Sequence, residues 1–154
     1  MKKEQIIEIL NISKQSACLV GYTYGVNIKT VSRVTRLVMN NMWLQAKGFA
    51  LWFGQRNFLL EVDSEKVALH GLKRFTNKPK ENQQISFAWE QVNFIEAYKT
   101  SVGNDCALKL TVTNIGTIEF EFNIKKQKDE FDMIAKIINT KFNVDITQLK
   151  LRVK

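Results

Sequence analysis

The chain has 154 residues, of which 45% are hydrophobic and 25% charged, and a formal net charge of +8. This composition suits one domain of usual size with a small appendage and excludes global disorder. No apolar run approaches the ~20 residues that cross a bilayer, and two distant cysteines with one histidine give neither a disulfide framework nor metal-ligand spacing.

The opening "MKKEQIIEIL" begins with lysines as a signal peptide would, but Glu4 and Glu8 interrupt the apolar region and no small-residue cleavage site follows. The expected location is the cytoplasm, where Cys18 and Cys106 are read as buried apolar fillers. Ile6, Ile7 and Leu10 recur at helical spacing. "SACLVGYTY", residues 16–24, leaves helix and strand both open, because Gly21, Thr23 and two tyrosines are poor helix formers. From Ile28 to Met42 the pattern is helical, with Val31, Val34, Leu37 and Val38 on one face. Residues 1–42 therefore read as a small helical module. Lys2, Lys3, Lys14, Lys29, Arg33 and Arg36 oppose only Glu4 and Glu8 there, so the excess positive charge is concentrated toward the start of the chain.

Beyond Trp43 the period becomes two. "GFALWFG" and "NFLLEV" read as paired strands, followed by "VALHGL". "KRFTNKPKENQQ" reads as a basic, polar loop holding the only proline, Pro79. "ISFAW" and "VNFIEAYKTS" read as a long strand bent near Glu90 and Gln91. "CALKLTVT" and "TIEFEFN" alternate around a hairpin turn. A helix is predicted over 128–142, with Phe131, Ile134, Ile138 and Phe142 as its apolar stripe. Residues 143–154 read as a basic tail or as an edge strand whose cations blunt aggregation. The fold class is thus α+β: a helical module, then an antiparallel barrel capped by a C-terminal helix.

Residues 43–142 resemble the pleckstrin-homology-like domains, especially their bacterial and GRAM-type versions. The likeness lies in order and pattern: "GFALWFGQRNFLLEV" as the opening hairpin, "CALKLTVTNIGTIEFEF" as the last hairpin and "DEFDMIAKIINTKF" as the capping helix. In lipid-binding relatives, cations around the first hairpin cradle phosphates. The resemblance implies Lys47 and Arg56 for two of these parts, while Phe58 stands where a third cation is needed. Lys73, Arg74, Lys78 and Lys80 offer a further anion or membrane contact, as do Lys125, Lys126 and Lys128.

Residues 17–36 resemble the helix-turn-helix of repressors of the lac-repressor type. Gly21 is the small residue of the first helix, Gly25 serves the turn, and "TVSRV" lies on the recognition helix. The resemblance implies Asn27, Lys29, Thr30, Ser32, Arg33 and Arg36 as the DNA-facing set. The leading functional expectation is therefore a DNA-binding regulator, with duplex DNA as partner and a homodimer to supply two half-sites. The alternative is an adaptor that binds a protein segment or an anionic lipid surface and no DNA.

Catalysis finds no constellation. His70 alternates with apolar neighbours and reads as a satisfied sheet residue, and Glu119 with Glu121 read as a solvated strand face. Neither a cofactor nor a metal is expected.

Overall fold

The computed structural model describes residues 1–23, 26–27, 56–73, 75–100, 105–147 and 150–151. The elements are α1 (Lys3–Ile9), β1 (Ala17–Thr23), β2 (Val26–Asn27), β3 (Arg56–Val62), β4 (Lys66–Leu72) and β5 (Pro79–Ala88). A 3-10 turn (Trp89–Gln91), β6 (Val92–Lys99), β7 (Asp105–Val112), β8 (Gly116–Asn123), α2 (Lys128–Phe142) and β9 (Lys150–Leu151) follow.

The strands form one sheet in the order β5-β4-β3-β1-β8-β7-β6-β9, with β2 also paired to β8. All pairings are antiparallel except that of β9, which runs parallel to β6. Two meanders, β3-β4-β5 and β6-β7-β8, thus meet at β1. The order does not return on itself, so the sheet is open and the expected closed barrel is corrected. The two meanders adjoin in the chain at Trp89. Its backbone N–H donates to the Glu65 carbonyl and its indole N–H donates to the Asp63 carbonyl at 2.8 Å. The chain is tethered there between β5 and β6, which do not pair with each other. The bend falls where "WEQ" was expected to give one.

The strand β1 corrects the helical reading of residues 17–23. Ala17 and Leu19 face the main core, while Cys18 and Val20 face the second cluster under α1. A strand covered on both faces reads as a continuous apolar run without period two, which is why its sequence was ambiguous. Gly21 also has a different cause from the one the repressor-like reading gave it. A β-carbon there would lie 2.2 Å from the Glu121 carbonyl oxygen and 2.6 Å from the Phe120 ring. The strands β1 and β8 come together at this point, with Tyr22 opposite Glu121. The first helix of the proposed helix-turn-helix is therefore absent. Its turn glycine and recognition helix, residues 28–36, lie outside the described residues.

One side of the sheet holds Leu19, Phe58, Leu60, Leu69, Ile85, Leu108, Leu110, Ile118, Phe120 and Phe122, all buried. The helix α2 covers it with Phe131, Ile134, Ala135 and Ile138, so the predicted stripe and the predicted span 128–142 both hold. Phe122 packs on Phe131 at 5.4 Å between ring centres, and Trp89 meets Phe142 edge to face at 5.8 Å. The helix stops at Asn143, which takes the left-handed conformation at φ 52°, a cap that asparagine tolerates. In β7 and β8 burial alternates as expected. The hairpin between them turns through Asn114 and Gly116, both at positive φ.

On the opposite face, α1 lays Ile6, with Ile7 and Leu10, over Cys18, Leu59 and Leu72. Lys3 pairs with Glu130 at the start of α2. Burial alone would raise the Glu130 carboxyl, but the hydrogen bond from Lys3 and the backbone bond outweigh it and hold it below the ordinary value. A depressed folded-state value makes this contribution present above the unfolded glutamate value and lost as pH falls through the folded one. The stability difference between the wild type and Glu130→Gln, from urea melts across acidic pH, is expected to be largest above about pH 4.3. It should shrink below that. A difference independent of pH would contradict the pairing.

Candidate functional site

The connection between β4 and β5 is short and braced. Lys73 N–H donates to the Lys78 carbonyl at 2.8 Å, and Asn77 N–H donates to the Lys73 carbonyl at 2.9 Å. Asn77 sits at φ 57°, where asparagine is well tolerated. Its side-chain oxygen accepts from the Asn57 amide at 3.3 Å, and the Thr76 carbonyl accepts from the Met1 amino group at 2.8 Å. The loop is thereby fixed against β3 and the start of the chain.

What this frame presents is Phe75, 92% exposed, between the exposed cations Lys73 and Lys78. Lys80 follows, half-buried, in β5. An isolated exposed apolar side chain is ordinary on a protein surface. A phenylalanine held outward by a hydrogen-bonded turn and flanked by lysines is chemically more specific, because it joins an apolar group that leaves water readily to charges that stay at an anionic interface. The cations of this loop were legible in the sequence, but Phe75 was passed over. The signal was a lone aromatic in an otherwise polar stretch, "KRFTNK".

The other candidates are scattered. Arg56 opens β3 opposite Thr23, and Asn27 lies in β2 opposite Thr117. Lys29, Thr30, Ser32, Arg33, Arg36, Lys47 and Arg74 lie outside the described residues. Of the residues named from sequence, the structure brings together Lys73 and Lys78, with Lys80 close in the chain, and separately Lys125 and Lys128 around one cleft.

The buried titratable groups among the described residues are held by their neighbours. His70 Nε2 and Glu61 Oε2 are 3.3 Å apart on the outer face of β3 and β4, both residues buried. His70 is thus a partnered sheet residue. Cys18 lies opposite Glu61 in the register, and its thiol is pushed up to about 12, by burial first and then by the Glu61 charge. Burial raises Cys106 as well. A thiol held protonated is a poor nucleophile. Ellman's reagent at mildly alkaline pH is therefore expected to modify neither cysteine in the folded protein and both after denaturation. Rapid reaction of a folded-state thiol would contradict their placement. Tyr22 donates to Asp105 at 2.9 Å, and burial together with this bond raises its phenol far above the ordinary value, so it remains a neutral donor. Glu119 and Glu121 point away from Ile118, Phe120 and Phe122. Among the described residues no group of three or more His, Cys, Asp or Glu is placed to hold a metal. Among them, too, no helix is long and apolar enough to cross a membrane.

No family model and no curated protein matches the chain. Among solved structures, it is similar to the hSac2 domain from the human phosphoinositide phosphatase Sac2. The match covers 100% of this chain and 93% of that one, at 10% identity and a TM-score of 0.47. A likeness of this degree supports no functional transfer.

Proposed function

We propose that the chain is a non-enzymatic binding module of pleckstrin-homology-like kind that docks on an anionic membrane surface through the β4–β5 loop. The observation that carries this reading is Phe75, exposed between Lys73 and Lys78 on a turn held by its own backbone hydrogen bonds. Each lysine near an anionic leaflet contributes about 1 kcal/mol, and an aromatic side chain gains by entering the headgroup region. The pleckstrin-homology-like assignment draws on two meanders followed by a C-terminal helix over one side of the sheet. In this reading β1, between β3 and β8, is part of the same module. The strand at residues 17–23 takes away the first helix on which the leading expectation, a DNA-binding regulator, rested.

Sedimentation with vesicles of phosphatidylcholine, with and without phosphatidylserine, tests the proposal. Binding is expected only to the anionic vesicles and is expected to weaken as salt rises, because surface charges are screened. Equal partitioning to both vesicles, or to neither, would overturn it.

A further inference from the structure

A second basic site lies apart from the loop. Lys99 ends β6, Lys125 follows β8, and Lys128 opens α2; the topology gathers these residues, separated in sequence, around one cleft of about 570 Å³. Ile124 and Phe131 form its apolar part, and Thr147 stands at its rim with its hydroxyl donating to Asp145. Lys128 is paired with Asp132 at 2.6 Å, an exposed partner one turn along the helix. Among the described residues, neither Lys99 nor Lys125 has a carboxylate at ion-pair distance. Lysines sharing a cleft with too few counter-charges repel one another, and a bound anion of high charge density relieves that repulsion.

We propose that this cleft is a phosphate-binding site whose ligand group is a phosphate monoester. A monoester carries up to two charges and three acceptor oxygens, which suits three ammonium groups better than the single charge of a carboxylate or phosphodiester. The cleft is larger than one phosphate, and Ile124 and Phe131 provide apolar contact for whatever the phosphate is attached to. The same chemistry is available from a lipid headgroup or from a soluble phosphorylated molecule.

The test uses the full chain and the Lys99→Ala/Lys125→Ala variant, both checked by circular dichroism. In the first arm, inorganic phosphate is titrated and amide shifts are followed by NMR, with sulfate as the charge control. Saturable shifts are expected at Lys99, at residues 124–128 and at Thr147. At about fivefold per lysine, the variant is expected to bind some 25-fold more weakly. In the second arm, vesicles holding phosphatidic acid are compared with vesicles of equal charge holding phosphatidylserine. A preference for phosphatidic acid that the variant loses identifies the lipid source. Phosphate binding without that preference identifies a soluble source. Either result supports the site. Absence of both, equal response to sulfate, or an unchanged response in a folded variant overturns it. Because the variant retains Lys73, Phe75 and Lys78, its binding to phosphatidylserine vesicles reports on the loop separately from the cleft.

Discussion

Replacing Gly21 by alanine is expected to destabilise the protein by about 3 kcal/mol or more, toward the upper end of what overpacking costs. Two opposing effects decide the sign. Removing a glycine from a regular element gains ~0.5–1 kcal/mol by restricting the unfolded chain. Against this, the new methyl group would stand 2.2 Å from a backbone oxygen of β8 and 2.6 Å from the buried Phe120 ring. One neighbour is backbone and the other is the tip of a ring fully buried in the core, so one of the two strands must move. The prediction also separates the two readings of residues 17–36. In the interior of a first helix the same change would stabilise by about 1 kcal/mol. Urea denaturation of Gly21→Ala therefore reads the sign directly: a lowered midpoint is expected, and a raised one would restore the helical account.

The second large effect is expected at the β4–β5 loop, without change in stability, since Phe75 is 92% exposed and contributes little to the core. Its two chemical components should separate. Lys73→Ala/Lys78→Ala removes about 2 kcal/mol of surface attraction, which corresponds to roughly 30-fold in binding to anionic vesicles. That loss should fade as salt rises. Phe75→Ala removes an apolar contact of about 1.5–3 kcal/mol if the ring enters the lipid fully, roughly tenfold to 100-fold, and this loss should persist in salt. Titration of both variants against vesicles at low and physiological salt checks the split. Equal salt dependence of the two losses would mean that Phe75 does not enter the membrane.

The elements legible in the sequence are those with one buried face. In β7 and β8, Leu108, Leu110, Ile118 and Phe120 alternate with polar residues because one side meets the core and the other meets water. In α2 the stripe of Phe131, Ile134 and Ile138 repeats at helical spacing for the same reason. The strand β1 was not legible because α1 buries its second side, which erases the alternation. The strand β5 was read partly as loop, since Pro79–Gln84 is polar; proline at the first position of an outer strand costs no ladder hydrogen bond. Closure of the sheet is a property of no local segment. It is set by which strands pair, and β5 and β6, which adjoin in the chain across Trp89–Gln91, do not pair with each other.

The candidate sites divide in the same way. The lysines at 73, 78 and 80 cluster in sequence and were seen. The turn that carries Phe75 is braced by Asn77 and its partner Asn57, which pattern reading does not connect. The lysines at 125 and 128 are close in sequence, but Lys99 joins them only because β6 and β8 flank β7.

The most direct test of membrane docking places an environment-sensitive nitrobenzoxadiazole dye at residue 75. A Phe75→Cys variant allows this, because Cys18 and Cys106 are buried and their thiols are held protonated. On vesicles containing phosphatidylserine the dye's emission is predicted to shift to the blue and brighten, and on pure phosphatidylcholine it should not change. Unchanged emission on anionic vesicles that nevertheless sediment the labelled protein would contradict the account, because the membrane would then be held by some other surface.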